Sequence, residues 1–470
     1  MTEDTNAKNK YLFKNTAIFA LGNIATKLIS FFLIPLYTYK LTTSQYGTAD
    51  LLLAVCSFIY PLITLNIAEA IFRFSMDKNA DSDKISRIGF KCFYLSVLLA
   101  LPIAFLLELN KDTAGLGFFV YLYIVSSSSS QILLALMKGQ EKLGIYTIGN
   151  ILNTLLTTIF SLVFLLIFNM KLDGFFAAYV ISNTIVTAYI VIESKIYKVK
   201  DKTKTDAQLF KQMAKYSTVL IPTTFMWWIV NSSDKLMITS FISASANGIY
   251  AISYKIPSLL TVIASIFNQA WVFSAVKQKD DSSNTKYTND VFDMLYGSIA
   301  VVAVVLLAFI KIILKYAVAS EYYESWIYTP FLIFGFIFMT MSTFISTSYN
   351  AHKDSKGLLF SGMVGAITNI VLNAIFIPLF GVIGAALATV ISYISVFTYR
   401  HIDTKKYVKI YIKPKYAMTL LVVLAACITV YTPKEIAIFA HAAEIVAIVI
   451  LNKKCFEGFL KLIKNKLKKD

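Results

Sequence analysis

The sequence predicts an all-α, polytopic membrane protein with about fourteen transmembrane helices. The first observation is composition. Of the 470 residues, 57% are apolar and 15% are charged, with a mean hydropathy of +0.65, whereas a soluble domain carries roughly 25% charged residues. The second is an alternation of long apolar runs with short polar connectors. The third is that 35 of the 44 Lys and Arg residues lie in the two terminal tails and in every second connector. By the positive-inside rule this predicts that both termini are cytoplasmic.

The apolar runs have the length of membrane-spanning helices. A hydrocarbon core of ~30 Å needs about 20 helical residues, whereas outer-membrane strands would alternate over about 10 residues. The first run is too long for a signal peptide and lacks a small-residue cleavage site, so we expect it to be retained. The predicted spans are 14–39, 48–70, 89–108, 116–137, 145–168, 174–194, 216–241, 249–275, 292–314, 326–350, 357–380, 382–400, 415–432 and 435–451.

An internal repeat divides the spans into two halves of six. In each half a charged turn leads into a span, and a glycine, Gly174 or Gly384, opens the next span. The pairs Tyr46-Gly47 and Asn247-Gly248 likewise stand at the start of the second span of each half. We infer a parallel repeat about an axis along the membrane normal, which is a common plan of secondary transporters.

The repeat predicts three regions. Residues 1–205 form the N-terminal six-helix half, residues 206–402 form the C-terminal half, and residues 403–470 add two transmembrane helices and a basic tail. From Lys453 on, lysines mix with apolar residues at near-helical spacing. That tail is either an amphipathic helix on the inner leaflet or a disordered basic segment.

Prolines fall at corresponding places in the two halves. Pro35 and Pro61 interrupt the first two spans of the first half, and Pro222 and Pro257 interrupt the first two of the second. A proline inside a helix removes a hydrogen bond and kinks the helix. Interrupted helices at matching positions are the best pointer from sequence to a transport site, although kinks that only shape packing remain the alternative.

Three cations lie inside apolar runs, and they are the first candidates for substrate binding. They are Lys27, Lys235 and Lys255. A charge at mid-membrane costs several kcal/mol unless it faces water or a partner, so we expect these side chains to share a wet interior. An excess of cations there predicts an anionic substrate, and lysine suits phosphate as a compact point charge.

Other charged and polar residues on the same helices are further candidates. Arg73 is a candidate for substrate binding, and Glu69, Asp234 and Asn231 are candidates for lining the cavity or for ion coupling. Glu69 and Arg73 are four residues apart and can pair on one helix face. In the alternative interpretation that pair is merely interfacial, and Asp234 merely neutralises a neighbouring lysine.

Several kinds of chemistry are not indicated. The four cysteines and three histidines are dispersed without ligand spacing, so we predict no metal site and no cofactor. The net charge of +17 is spread over connectors beside the membrane, which favours contact with anionic membrane lipids and not with nucleic acid. No Walker motif, GxSxG elbow or HExxH motif is present, and so we do not expect an enzyme.

Three stretches carry a family resemblance. They are KNTAIFALGNIATKLISFFLIPLYTYKLTTSQYGTADLL at residues 14–52, NSSDKLMITSFISASANGIYAISYKIPSLL at 231–260 and NAIFIPLFGVIGAALAT at 373–389. They resemble polysaccharide-export flippases of the Wzx type, which carry O-antigen and other lipid-linked oligosaccharides. That family belongs to the superfamily that includes the MATE multidrug exporters and the lipid II flippase.

The resemblance implies a function. It implies movement of an undecaprenyl-diphosphate-linked oligosaccharide from the inner to the outer leaflet of a bacterial cytoplasmic membrane, by alternating access through a central cationic cavity. Lys27, Lys235 and Lys255 fit the lining of such a cavity. If transport is active, H⁺ and Na⁺ are the candidate coupling ions, and a polymerase and glycosyltransferases are the expected pathway partners.

Two other classes of function stay open at this point. One is a MATE-like, ion-coupled exporter of small cationic molecules, although that substrate would favour acidic residues in the cavity. The other is a membrane glycan polymerase or ligase, which we would expect to need a large outer catalytic loop.

Overall fold

The computed structural model confirms an all-α, polytopic fold. It describes residues 26, 29–77, 80–109, 113, 115–198, 206–277, 284–352 and 354–453. Within those ranges the regular structure is helical, with no strand, and ten helices are long and apolar enough to cross a membrane. Lys27 and the tail beyond Lys453 lie outside the described residues.

The helices follow the predicted spans in chain order, one helix to each span except the second span, which contains two. They are α1 (29–40), α2 (Thr43–Ile63), α3 (Ile67–Ser75), α4 (Ser82–Leu109), α5 (Gly117–Gly139), α6 (Leu143–Leu162), α7 (Lys171–Ser194), α8 (Ala207–Phe241), α9 (Ala244–Lys277), α10 (Asn284–Ala317), α11 (Thr329–Ala351), α12 (Ser355–Phe380), α13 (Val382–Asp403), α14 (Pro414–Thr429) and α15 (Lys434–Leu451).

The second span breaks just after its proline. Leu65 and Asn66 adopt left-handed backbone conformations with φ of 55° and 51°, and the Asn66 N–H donates to the Pro61 carbonyl at 2.5 Å. The Thr64 hydroxyl donates to the Tyr60 carbonyl at 2.7 Å. These bonds satisfy carbonyls that the end of α2 would otherwise leave open.

The helical assignment continues through the other three prolines. α1 includes Pro35, α8 includes Pro222 and α9 includes Pro257. A helix break is therefore seen at one of the four sites, and kinks at the other three stay a prediction.

The chain forms two compact units, Met1–Trp228 and Ile229–Asp470, and the division falls inside α8. In unit 1, α4, α5 and α7 pack together around an apolar cluster that includes Ile88, Met137 and Ile190. Unit 1 also contains interhelical hydrogen bonds, which hold helices together where water is absent. The Asn183 amide donates to the Ser127 hydroxyl at 3.0 Å, and the Asn153 amide donates to Asn183 at 2.8 Å.

Unit 2 is built around α9, α11, α12 and α13, with α14 and α15 packed on each other and on α10. Residues just before α14 are fixed to α10. Asn289 donates to the Lys409 carbonyl at 2.9 Å and accepts from the Tyr411 N–H at 2.8 Å. The Asp293 carboxylate accepts from Lys413 at 2.5 Å and from the Tyr416 hydroxyl. The predicted boundaries of the halves, at 205 and 402, stay predictions.

The repeated sequence pairs occupy matching structural positions. Thr42 caps α2 and Ser243 caps the start of α9, so Tyr46 and Asn247 are each the fourth residue of their helix. Gly174 and Gly384 each lie where α7 or α13 passes close to the end of the preceding helix. A Cβ on Gly384 would lie 2.0 Å from the backbone oxygen of Phe376, and one on Gly174 would lie 2.8 Å from the Met170 Cβ.

The surroundings of the two glycines predict which alanine substitution lowers the stability of the protein more. Gly384→Ala should cost about 3 kcal/mol, because the added methyl meets backbone that cannot rotate away, and Gly174→Ala about 1–2 kcal/mol. Gly144→Ala is the matched control, because a Cβ there meets nothing within 4 Å. Thermal unfolding of the detergent-purified variants measures the order. Equal unfolding temperatures for Gly384→Ala and Gly144→Ala would contradict it.

Candidate functional site

The candidate site in unit 2 is organised around a fully buried carboxylate. Asp234 on α8 has 0% of its surface exposed. Its Oδ2 accepts a hydrogen bond from the Tyr250 hydroxyl of α9 at 2.8 Å and one from the Thr389 hydroxyl of α13 at 3.5 Å. Its Oδ1 accepts from the Lys235 backbone N–H at 2.9 Å. Three helices therefore meet at one carboxylate.

A second polar layer lies one helical turn away on the same three helices. Asn231 is three residues before Asp234, and Tyr254 and Tyr393 are four residues after Tyr250 and Thr389, which places each pair on one helix face. The hydroxyls of Tyr254 and Tyr393 share a hydrogen bond, and Tyr393 donates to the Asn231 side-chain oxygen at 3.5 Å.

Two buried asparagines of α12 extend the polar region. The Ser233 hydroxyl donates to Asn369 Oδ1 at 2.6 Å, and the Asn373 amide donates to the same oxygen at 2.9 Å. Among the described residues, Asn373 Oδ1 is buried and accepts no hydrogen bond. A buried amide oxygen without a donor is unusual, and α12 reaches α8 in this polar region through Ser233, the residue next to Asp234.

The predicted lysines adjoin these layers in sequence. Lys235 follows Asp234 on α8, and Lys255 follows Tyr254 on α9; both residues are half-buried. The structure thus brings four predicted site residues onto two neighbouring segments of unit 2, namely Asn231, Asp234, Lys235 and Lys255. Their roles in binding stay predictions.

Glu69 and Arg73 lie in unit 1 on α3, and their expected pairing is corrected. Arg73 forms its ion pair with Asp77 at 2.7 Å, and these two side chains are about equally exposed, at 53% and 55%. Asp77 lies just beyond the C-terminal end of α3, and a long Arg side chain extends toward such a solvated end in preference to the apolar body of a helix.

The sequence interpretation missed two buried charges. Asp50 on α2 is only 9% exposed, and Arg400 on α13 is 1% exposed. Arg400 Nε donates to the Ser361 hydroxyl at 3.0 Å, and Nη1 donates to the Ser342 carbonyl at 2.9 Å. Arg400 is the last residue of the predicted span 382–400, and no pattern in the sequence distinguishes it from the exposed Lys405 and Lys406 that follow.

Arg400 adjoins an ion-pair cluster at the predicted cytoplasmic end of unit 2. Lys406 contacts Asp354 and Asp403 at 3.1 Å each, and Tyr349 donates to Asp403 at 2.8 Å. The Gly357 backbone N–H, and then Lys406, hold the pKa of Asp354 below its usual range. The cluster joins the end of α11, the start of α12 and the end of α13.

Comparison with known proteins assigns this architecture to a family. Residues 12–273, more than half of the chain, match the model of the polysaccharide biosynthesis protein family, and residues 331–450 match the lipid II flippase MurJ family. The chain belongs to the polysaccharide biosynthesis protein family, and it is a membrane flippase or transporter of the superfamily that includes MurJ and the MATE proteins.

Individual relatives are distant in sequence and close in fold. An uncharacterised membrane protein of Methanocaldococcus jannaschii is 23% identical over 82% of this chain and 96% of its own. The lipid II flippase MurJ in an inward closed conformation superposes with a TM-score of 0.64 at 16% identity, covering 96% of this chain and 99% of its own. An inward-facing multidrug resistance MATE transporter gives 0.63 at 11% identity, covering 82% and 94%.

The Asp234 layer predicts a measurable hydrogen-bond energy. Tyr250→Phe should destabilise the protein by about 1.5–3 kcal/mol, because it removes a donor to a buried charged group, whereas a bond to a neutral acceptor contributes about 0.5–1.5 kcal/mol. Tyr296→Phe is the matched control, since the buried Tyr296 hydroxyl donates to the Tyr416 carbonyl at 2.8 Å. Denaturation in detergent compares the two. A Tyr250→Phe effect no larger than the control would argue against an ionised Asp234.

Proposed function

We propose that the protein translocates a polyprenyl-diphosphate-linked oligosaccharide from the inner to the outer leaflet of a bacterial cytoplasmic membrane. The observation that carries the proposal is the pair of family matches. A polysaccharide biosynthesis model covers residues 12–273, and a model named for a lipid II flippase covers residues 331–450. The description of one family names polysaccharide biosynthesis, and that of the other names a lipid II flippase. In this proposal both termini are cytoplasmic, as the positive-inside rule predicts. A polymerase and glycosyltransferases would act in the same pathway.

Cationic residues in the membrane helices support a diphosphate substrate. Lys235 and Lys255 are half-buried on α8 and α9, and Lys27 lies in the first apolar run of the sequence. Lysines at membrane depth are costly unless they face water, a partner or a ligand. The proposed role of these lysines is to offset the desolvation of the diphosphate while the polyprenyl chain stays in lipid. Arg73, exposed at the end of α3, would contact the substrate on entry.

Alternating access is the proposed route. The glycan and the diphosphate would occupy a polar path that opens first to one leaflet and then to the other. The parallel repeat in the sequence is consistent with this transport plan. No hydrolysis of the lipid diphosphate is needed, so the proposal requires no nucleophile and no metal ion.

Flipping in liposomes tests the substrate. Purified protein is reconstituted in liposomes with a short oligosaccharide on a polyprenyl diphosphate. A glycan-modifying enzyme that cannot cross the membrane is added outside, and it measures how much of the glycan has reached the outer leaflet. We expect protein-dependent exposure that falls at least about tenfold in Lys27→Ala, Lys235→Ala and Lys255→Ala, since each tenfold in rate corresponds to only about 1.4 kcal/mol. Lys215→Ala is the control, because Lys215 is exposed on the same helix as Lys235.

The outcomes separate substrate from site. If glycan exposure requires the protein but is unchanged by all three substitutions, the cationic site is rejected and the flippase function is retained. Absence of exposure with several glycans, under both proton and sodium gradients, would reject the lipid-linked oligosaccharide as substrate.

The Asp234 region is the proposed site of ion coupling. It combines one buried carboxylate with hydroxyl oxygens of Tyr250 and Thr389. On α12, which is hydrogen-bonded to α8 through Ser233, the amide oxygen of Asn373 is buried and open. Oxygen ligands suit hard cations, and the carboxylate itself can take a proton. We propose Na⁺ or H⁺ as the coupling ion at this region.

Sodium and proton coupling predict different results for Asp234→Asn. If Na⁺ binds, the unfolding temperature of the wild type will be higher in NaCl than in equimolar choline chloride. Binding linkage stabilises the folded state by about 2.7 kcal/mol when the Na⁺ concentration is 100 times the Kd. Asp234→Asn will show no such increase. If H⁺ is the ion, a pH gradient alone will accelerate flipping, and the variant will not respond. Asp173→Asn, at an exposed position of α7, is the control. A variant that responds like the wild type to both ions would reject this site.

Buried acids support one second candidate, an exporter of small cations. Asp50 in unit 1 and Asp234 in unit 2 are both buried carboxylates within predicted spans, and a MATE transporter shares the fold. Under this alternative a deletion strain will become sensitive to lipophilic cations, and Asp50→Asn will fail to restore resistance. An unchanged drug profile with a defect in surface glycan favours the flippase.

A further inference from the structure

Two cavities of unit 1 lie on the same three helices, α4, α5 and α7. The first, of about 670 Å³, lies where α4 begins and where α3, α5 and α7 end, and most of the side chains that line it are polar or charged. The second, of about 300 Å³, lies further along α4, α5 and α7, and no charged residue lines it. Both volumes are in the range of ligand pockets, roughly 300–1,000 Å³. We call them the polar cavity and the apolar groove.

The register of the helices places the apolar groove next to the polar cavity. On each helix, a residue that lines one lies three or four residues from a residue that lines the other, and such residues share one helix face. At a rise of 1.5 Å per residue the two linings are about 5–6 Å apart. One molecule with a polar end and an apolar chain, lying along this face, would therefore reach both. The pairs, with the polar cavity first, are Ser86 and Phe90 on α4, Met137 and Leu133 on α5, and Ser194 and Val191 on α7.

The apolar groove suits a hydrocarbon chain. Its polar side chains are four hydroxyls, and each already has a partner within unit 1. Ser126 and Thr184 donate to carbonyls of their own helices, and Ser129 and Thr187 share a hydrogen bond at 3.0 Å. All three helices are long and apolar enough to cross a membrane, and α4 presents large apolar side chains outward, such as Tyr94. The surrounding lipid is therefore the source of an occupant.

The polar cavity contains charges of both signs. Lys142 and Lys195 line it, and so do Asp83 and Glu141. Within the part of the chain that the structure describes, none of these four residues forms an ion pair. A third acid of the lining, Asp77, is held in the ion pair on α3 described above. Two cations and two carboxylates are thus available to a ligand.

Two serine hydroxyls of the polar cavity also lack a partner. Ser75 at the end of α3 and Ser194 at the end of α7 both line the cavity. Their hydroxyl oxygens are buried and form no hydrogen bond among the described residues. Buried hydroxyls are normally hydrogen-bonded, so a polar group in the cavity would supply what these two serines lack.

The matching turn of unit 2 pairs its acid within the protein. In the sequence repeat, an acid precedes a glycine by three residues in each turn: Glu141 before Gly144 between α5 and α6, and Asp354 before Gly357 between α11 and α12. Asp354 contacts Lys406 at 3.1 Å. Since Glu141 has no such partner in the described part of unit 1, the two turns differ in what they leave for a ligand.

The charges select a headgroup. Lysine binds phosphate as a point charge, and a carboxylate accepts hydrogen bonds from a primary ammonium. A headgroup with phosphate alone would be repelled by Asp83 and Glu141. A quaternary ammonium is typically held by aromatic side chains, and the described residues that line the polar cavity include none. The lining therefore favours a headgroup with both a phosphate and a primary amine.

We propose that this face of α4, α5 and α7 binds one membrane phospholipid whose headgroup has a phosphate and a primary amine. The phosphate contacts Lys142 and Lys195, the amine contacts Asp83 and Glu141, and one acyl chain lies in the apolar groove. The predicted topology puts the polar cavity at the cytoplasmic end of unit 1, so the lipid comes from the inner leaflet. The site does not depend on the nature of the transported substrate.

Native mass spectrometry of the purified protein tests the headgroup. The protein is titrated with phosphatidylethanolamine, phosphatidylcholine and phosphatidylglycerol that have the same acyl chains, and bound lipid is counted. We expect phosphatidylethanolamine to bind about fivefold more tightly than either of the others, which is only about 1 kcal/mol because solvated ion pairs are weak. Glu141→Gln and Asp83→Asn should each reduce its preference over phosphatidylcholine, and Lys142→Gln with Lys195→Gln should weaken both zwitterionic lipids.

Controls separate this site from general contact with lipid. Asp173→Asn removes an exposed acid at the other end of α7 and should leave the preference unchanged. A phosphatidylethanolamine with a photoreactive acyl chain should label residues of the groove, such as Phe93 and Val125, and unlabelled phosphatidylethanolamine should compete. Equal binding of the three lipids, a preference that persists in both acid variants, or groove labelling that does not respond to competition would overturn the proposal.

Discussion

The structure depends on one constraint: in the hydrocarbon of a membrane, each polar group must find its partner within the protein. Helix formation supplies the hydrogen bonds of the backbone N–H and C=O groups, and side-chain hydroxyls form hydrogen bonds with buried charged groups. Asp234 accepts from a tyrosine of α9 and a threonine of α13, and Glu444 accepts from a threonine of α14. Both carboxylates are held by hydroxyl groups of neighbouring helices. The burial of these carboxylates therefore depends on the packing of the neighbouring helices that supply the hydroxyl groups.

The same constraint explains where the regular helix is abandoned. A proline removes a hydrogen-bond donor, and the chain after Pro61 leaves the helical conformation for three residues. Left-handed residues cost about 1–3 kcal/mol each, and Asn66 is among the residue types that tolerate this conformation best. The bonds from Asn66 to Pro61 and from Thr64 to Tyr60 recover part of that cost. The break is a defined structure in which the Pro61 and Tyr60 carbonyls are satisfied locally, while the Asn66 Nδ2 is buried without a hydrogen bond within the described residues.

Apolar run length was sufficient to predict which segments are helical and in what order, while ten of the described helices, against about fourteen predicted spans, are long and apolar enough to cross a membrane. Burial of individual charges could not be predicted this way. Arg400 and Lys406 are both cations beside the end of one span, yet Ser342 and Ser361 enclose the first, while the second is largely exposed. The difference arises from partners 39 and 58 residues distant. The dispersal of the three histidines along the sequence likewise gives no sign that His441 contacts a glutamate three residues away.

Helix α13 connects the hydrogen-bond layer around Asp234 to the polar cluster around Arg400 in unit 2. It contributes Thr389 to the Asp234 layer, Tyr393 to the Asn231 layer and Arg400 to the serines of α11 and α12. Each buried group left without its partner costs about 1–3 kcal/mol. Sliding α13 alone would break all three sets of bonds together, at a cost comparable to the whole stability of many domains. Changes in unit 2 are therefore cheaper when α11 and α12 move together with α13, α9 and the unit 2 part of α8, because that keeps all three sets of bonds.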